Sequence, residues 1–157
     1  MRHLWKALHK IADYGTLLGF CGMIIAVTIQ VTARFLLPSA PSWTEELSRM
    51  CFMYAVAFGV AAGIKNGAFV RLELLKSYLP EKVSKSIEII IQWVIILFAI
   101  STLYYCISFL LIGMNEQSPS LKISMSVIFA SMFVLMFSIA VFSFEQLQEL
   151  RNQLNKE

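Results

Sequence analysis

Four long runs of uncharged, mostly apolar residues alternate with short charged segments along the chain. A hydrocarbon core about 30 Å thick needs about 20 helical residues at 1.5 Å per residue. Three runs reach that length, and the remaining one does so if its helix begins near Trp43. The pattern therefore predicts four membrane-spanning helices in a single domain, 1–157, with spans at about 14–35, 43–64, 83–112 and 122–150.

The composition supports a membrane protein of the all-α class. Hydrophobic residues make up 58% of the 157 residues and charged residues only 15%, and the mean hydropathy is +0.70. An average soluble domain has about a quarter charged residues, and about a third of its surface stays in water. These values exclude a soluble globular enzyme, a disordered chain and a nucleic-acid-binding protein.

The positions of the cations predict the orientation. Ten of the thirteen Lys and Arg residues lie in the N-terminal tail, in the connection between helices 2 and 3, and in the C-terminal tail. Loops rich in Lys and Arg stay in the cytoplasm. We therefore expect both termini and this connection to be cytoplasmic. The opposite end, which holds Trp43 and residues 115–124, is called the outer end below.

Two segments on the cytoplasmic side are predicted to lie along the membrane surface. Residues 1–13 place apolar side chains on one side and basic residues opposite, as in an interfacial helix. Residues 65–88 mix leucines with charges, and we expect an amphipathic helical piece there that ends at Pro80.

Small residues recur at helical spacing in the first two spans, which lets another helix approach closely. Two partners are compatible with such stripes: another helix of this chain, or a helix of another subunit. The residues predicted for helix packing are Gly15, Gly19, Gly22 and Ala26 in the first span, and Ala55, Gly59 and Gly63 in the second.

The spans show no candidate for catalysis, cofactor binding, metal binding or substrate binding. Transport sites within membranes are usually marked by charged residues or by helices interrupted at Gly and Pro. Here the charges lie at the ends of the spans, and both histidines, His3 and His9, lie in the N-terminal tail. Gln30 and Gln92 are polar within the spans and are expected to form interhelical hydrogen bonds. The protein is therefore predicted to support another subunit that transports.

One polar cluster is predicted at the outer end. Glu45 and Arg49 have the favourable i,i+4 order, and both acids lie near a helix N-terminus. The cluster is either a structural clamp in the membrane interface or a docking surface for a partner outside the membrane. Its members are Arg34, Trp43, Glu45, Glu46 and Arg49.

Several motifs resemble the small membrane subunit of tripartite ATP-independent periplasmic (TRAP) transporters, the Q-type or DctQ-like subunit. They are the run Trp43-Thr44-Glu45-Glu46-Leu47-Ser48-Arg49, then Gly59, the stretch 67–75, and Ser118-Pro119-Ser120-Leu121. The chain differs from that pattern at Phe69, where His is frequent, and at Glu73, where Asp is frequent. It also has Ser124 and Ser131 where prolines are common.

The resemblance implies a complex in the bacterial inner membrane that takes up organic acids such as C4-dicarboxylates or sialic acid. A large membrane subunit would hold the substrate and sodium sites and move as an elevator, and a periplasmic binding protein would deliver the substrate. The small subunit would enlarge the stationary scaffold and would itself hold no cofactor. Its small-residue stripes and its outer cluster would then contact the large subunit and the binding protein.

Two other functions stay open at this stage. A small exporter or channel working as a homo-oligomer would need a charged residue facing a pore. A four-helix membrane enzyme acting on lipid-like or thiol substrates would need cationic and tyrosine side chains, such as Tyr104 and Tyr105, to converge at one membrane face.

Overall fold

The computed structural model describes residues 2–37, 41–65 and 81–154, and these residues form four long helices. All four are long and apolar enough to cross a membrane, which confirms the predicted fold class. Their bounds are α1, Arg2–Leu36; α2, Ser42–Lys65; α3, Glu81–Met114; and α4, Met125–Leu154.

The helices stand side by side in a single row, in the order α1, α2, α4, α3. Helix α2 packs against α1 on one side and α4 on the other, while α3 packs against α4. Helices α1 and α3 are the two edges of the row and do not pack against each other. Most of the buried side chains are small, whereas large apolar side chains remain exposed along every helix. The surface of the row is therefore suited to lipid tails or to another membrane protein.

Close contact between α1 and α2 depends on the glycines of α1. A Cβ atom at Gly19 would lie 2.8 Å from the backbone nitrogen of Ala55, and one at Gly15 would lie 2.6 Å from the ring of Phe58. Such distances leave no room for a side chain. The stripe of α1 therefore packs within the chain, against α2.

Two of the other residues predicted for helix packing lie along the same contact. A Cβ atom at Gly22 would meet the sulfur of Cys51 at 3.0 Å, whereas one at Gly59 would meet Thr16 at 3.4 Å, an ordinary contact. Ala26 is buried, and Gly63 is half-buried.

Helices α3 and α4 are joined by a tight outer turn. A Cβ atom at Gly113 would lie 2.7 Å from the ring of Phe129. In the turn, the backbone nitrogen of Ser118 donates to the carbonyl of Ile123 at 2.8 Å. Lys122 has a φ of 52°, a left-handed conformation that does not continue into a helix. For this reason α4 begins at Met125 and not at the predicted residue 122.

The first helix also differs from the prediction. Instead of a surface helix over 1–13 and a separate span, α1 runs without a break from Arg2. At the inner end, which is the end opposite the outer turn, α1 packs into a small hydrophobic core. Ala12 is buried there together with Ala61, Ile64 and Phe142, and Leu8 packs against this group. These contacts hold the inner part of α1 against α2 and α4. Most of the predicted surface helix over 65–88 lies outside the described residues, although α3 does begin directly after Pro80.

Candidate functional site at the outer end

Glu46 ties the beginning of α2 to the turn that precedes α4. Its carboxylate accepts a hydrogen bond from the hydroxyl of Ser118. It also accepts hydrogen bonds from the backbone nitrogens of Ser120, at 3.1 Å, and Leu121, at 3.0 Å. Hydrogen bonds to an ionised acceptor are about twice as strong as neutral ones. Glu46 therefore fixes the outer turn onto α2.

Glu45 and Arg49 form a separate pair that faces outward. An Arg49 guanidinium nitrogen lies 2.9 Å from a carboxylate oxygen of Glu45, and both side chains are more than 60% exposed. Exposed pairs of this kind contribute about 0.2–1 kcal/mol, because water screens them. The pair adds little to folding, and its charges remain accessible to a partner.

The other two members of the predicted cluster form no hydrogen bond or ion pair with the acids among the described residues. Trp43 is 40% exposed, beside the buried Thr44, whose hydroxyl donates to the Pro41 carbonyl at 2.7 Å. Arg34 is exposed and forms no ion pair with either acid in the described part of the chain. The structure therefore separates the predicted cluster into an internal anchor, Glu46, and an outward pair, Glu45 and Arg49.

A cavity of about 380 Å³ opens between α2 and the outer turn. Its polar side contains Glu45, Glu46, Arg49 and Ser120, while Met50, Met53, Met125 and Ile128 line the apolar side. Methionine side chains adapt to irregular partners. This surface is able to contact a partner that is apolar on one side and polar on the other.

The inner end has polar contacts that the sequence did not predict. The Nε2 atom of His9 lies 2.9 Å from a carboxylate oxygen of Glu145, and the imidazole ring lies 4.9 Å from the ring of Phe142. This contact joins the inner turns of α1 to α4. The one available signal was that His9 and Glu145 lie just beyond the ends of the first and fourth apolar runs, on the same predicted side of the membrane.

Gln92 forms the interhelical hydrogen bond that the sequence predicted. Its side-chain nitrogen donates to the oxygen of Gln146 at 2.8 Å, which joins α3 to α4. Gln92 is 1% exposed, and its own side-chain oxygen has no hydrogen-bond partner among the described residues.

The described residues contain no group of three or more His, Cys, Asp or Glu side chains placed to hold a metal ion. The three cysteines, Cys21, Cys51 and Cys106, are free. In the part of the chain that the structure describes, Glu46, His9 and Gln92 join different helices or turns, whereas Glu45 and Arg49 present charge at the outer end.

Comparison with known proteins identifies the family. The sequence model described as "Tripartite ATP-independent periplasmic transporters, DctQ component" matches residues 23–152. This range includes Glu46, the Glu45–Arg49 pair and most of the four helices.

Individual relatives agree with this match. The chain is 26% identical over 142 residues to a putative TRAP transporter small permease protein of Haemophilus influenzae, covering 85% of this chain and 86% of that protein. It is 29% identical over 92 residues to the sialic acid TRAP transporter small permease protein SiaQ of Vibrio cholerae, covering 59% and 53% of the two chains. It is also 28% identical over 90 residues to the sialic acid TRAP transporter permease protein SiaT of Haemophilus influenzae, covering 55% of this chain and 14% of that much longer protein.

The family match extends over most of the chain, and the four apolar helices fit a component of a membrane transporter. Its relatives are small permease subunits, which implies a large TRAP membrane subunit as the partner. The chain therefore belongs to the DctQ family of TRAP transporter small permease subunits, and is a multi-pass inner-membrane transport component rather than an enzyme.

Proposed function

We propose that this chain is the stationary scaffold of a sodium-coupled, binding-protein-dependent transporter that takes up organic acids. It packs against the large elevator-type subunit and stabilises it in the membrane. The solute and the sodium ions bind in the large subunit and do not pass through this chain.

The single-row arrangement of the helices carries the proposal. A solute path through a membrane protein needs side chains on all sides, because polar groups cannot face lipid without cost. In this row α1 also meets α4 at the inner end, but α1 and α3 do not pack against each other, so the helices do not close into a ring. One such chain encloses no path, whereas its exposed apolar faces offer a broad surface to a second membrane protein.

The relatives support a role beside a larger permease. SiaT of Haemophilus influenzae matches this chain over 14% of its own length, so a similar segment and a much longer remainder share one polypeptide there. We infer that this chain works beside a part equivalent to that longer remainder.

The solute class is proposed from the same relatives. SiaQ and SiaT belong to transporters named for sialic acid, which carries a carboxylate, and C4-dicarboxylates are the other class compatible with the family. We propose uptake of a carboxylate-bearing organic acid, driven by sodium.

The outer surface is proposed to receive the periplasmic binding protein. Glu45, Arg49 and Arg34 expose charges of both signs at this end, and the Lys122 side chain in the outer turn is also exposed. Exposed charges guide encounter and fix orientation more than they add affinity. Glu46 supports this surface by holding the turn in place.

The proposal is tested by reconstitution in liposomes. The chain, the large permease subunit of its transporter and the matching binding protein are purified, and uptake of labelled sialic acid or succinate is measured under an inward sodium gradient. We expect uptake only when all three proteins and sodium are present.

Two results would contradict this function. Full uptake by the large subunit and the binding protein without this chain would remove the need for a scaffold. Uptake or efflux by liposomes that contain only this chain would favour the homo-oligomeric channel instead.

A further inference from the structure

Two adjacent tyrosines on α3 occupy an unusual position in the row. Tyr104 is 72% exposed and Tyr105 is 65% exposed, on the helix that forms one edge of the row. Their rings meet edge to face with centroids 5.5 Å apart. Neither hydroxyl has a hydrogen-bond partner in residues 2–37, 41–65 or 81–154.

Their depth is counted from the outer end of α3, which is Met114, directly before the polar outer turn. Tyr104 and Tyr105 lie ten and nine residues before Met114, about 15 Å and about 14 Å along the helix at 1.5 Å per residue. A hydrocarbon core is about 30 Å thick, so both side chains lie near its midpoint.

Exposed tyrosines normally lie at the two interfaces, where water and headgroups accept their hydroxyl protons. At the midpoint of the core, lipid tails offer no acceptor. A tyrosine ring also holds its hydroxyl away from the backbone of its own helix. Two exposed phenols at this depth therefore indicate a protein surface that supplies acceptors.

Other hydroxyls nearby do not need a partner. Ser101 and Thr102 donate to the carbonyls four residues earlier in α3, both at 2.9 Å. On the opposite edge, Thr28 and Thr32 of α1 do the same, at 2.8 and 2.7 Å. These short side chains satisfy their hydroxyls within their own helix and can therefore face lipid. The phenol hydroxyls of Tyr104 and Tyr105 are not satisfied in this way.

The edge formed by α1 has the pattern of a lipid-facing surface. Its large exposed mid-span side chains carry no polar atoms, as at Phe20, Ile24 and Ile25, and the exposed hydroxyls of Thr28 and Thr32 bond to their own helix. Its exposed tyrosine, Tyr14, directly follows Asp13, where the predicted membrane boundary lies. Water is available to that hydroxyl.

We propose that the α3 edge, at Tyr104 and Tyr105, is the surface that binds the large permease subunit, and that a membrane helix of that subunit supplies acceptor oxygens to both hydroxyls. The α1 edge then faces lipid. This inference rests on the proposed function, since it names the face used by the same partnership.

Site-specific photo-crosslinking tests the choice of face. The photoreactive residue benzoylphenylalanine is placed at Tyr105 on α3 or at Ile25 on α1, which are similarly exposed and both near mid-span. Each variant is co-expressed with the large subunit and irradiated in intact membranes. We expect a cross-link to the large subunit from position 105 and none from position 25.

The other outcomes separate this inference from the proposed function. A cross-link to the large subunit from position 25 alone would overturn the choice of face, while the scaffold function would stand. If the chain copurifies with the large subunit but position 105 gives no cross-link, the choice of face is overturned and the scaffold function stands. A cross-link from position 105 to a second copy of this chain would overturn the inference. Failure of the unmodified chain to copurify with the large subunit would overturn both.

A second measurement tests the hydroxyl groups themselves. Replacing Tyr104→Phe and Tyr105→Phe together keeps the rings and removes both donors. Interhelical hydrogen bonds in membranes are modest, and loss of two should raise the dissociation constant of the complex about tenfold. Tyr14→Phe is the matched control and should leave it unchanged. Equal affinity of the double variant and the unmodified chain would contradict the hydrogen-bonding role.

Discussion

The carboxylate of Glu46 lies 3.0 Å from the backbone nitrogen of Leu121, 75 positions further along the chain. This contact joins the start of α2 to the turn that leads into α4. The neighbouring Glu45 instead pairs with Arg49 on its own helix. Two adjacent acids therefore have different roles, one internal and one directed at the surroundings.

The first prediction separates these two acids. Glu46→Ala removes three hydrogen bonds to the outer turn, so a cysteine introduced at Ser120 should react several-fold faster with a water-soluble maleimide. Glu45→Ala is the control and should leave the labelling rate about unchanged. Equal rates in the two variants would show that Glu46 does not hold the turn.

The second prediction concerns the spacing of α1 and α2. A Cβ atom at Gly19 would lie 2.8 Å from backbone atoms of Ala55, which cannot move aside independently. Gly19→Ala should therefore lower the free energy of unfolding in detergent by about 1–3 kcal/mol, as overpacking does. Thermal unfolding followed by circular dichroism measures this loss.

Gly59→Ala is the matched control for this contact. Its added Cβ atom would meet Thr16 at an ordinary 3.4 Å, and replacing a helical Gly by Ala gains about 0.5–1 kcal/mol. We expect a neutral or slightly stabilising effect. A Gly19→Ala variant as stable as Gly59→Ala would contradict the close contact.

The third prediction concerns the buried amide pair between α3 and α4. Replacing Gln92→Leu leaves the Gln146 oxygen without its donor, and this should cost about 1–2 kcal/mol of stability. The double variant with Gln146→Leu removes both polar groups and should regain most of that loss. A double variant that loses the sum of both single effects would argue against a direct pair.

The fourth prediction concerns the inner end of α1. His9→Ala removes the contact with Glu145 and with the ring of Phe142. A cysteine introduced at the buried Ala12 should then be labelled several-fold faster. Lys10→Ala changes an exposed neighbour and serves as the control. Equal labelling rates in the two variants would mean that His9 does not hold the inner end of α1 against α4.

Much of the fold could be predicted from the sequence because the bilayer imposes simple length and charge rules. The charge-free runs predicted four spans, and the observed helices include all of them apart from the first residues of the fourth. The start of α4 was placed early because nothing in the residue types around Lys122 signals its left-handed backbone. The surface helix over 1–13 was predicted from its amphipathic pattern, which does not distinguish a membrane surface from a protein surface.

The outer site was only partly predictable. The Glu45–Arg49 pair follows from helical spacing alone, and the structure contains it. The role of Glu46 depends on backbone nitrogens of Ser120 and Leu121, which every sequence possesses and which only the fold brings near. The contact of His9 with Glu145 was missed for the same reason, since its partners are 136 positions apart.

The central claim, that solute and sodium do not bind in this chain, is tested most directly by transport kinetics. Uptake is measured with the reconstituted complex carrying Gln92→Leu or the double tyrosine variant, and rates are divided by the amount of assembled complex. The account predicts that the half-saturation concentrations for the organic acid and for sodium stay unchanged in both. A several-fold shift in either value, in a fully assembled complex, would place part of the transport site in this chain and contradict the scaffold function.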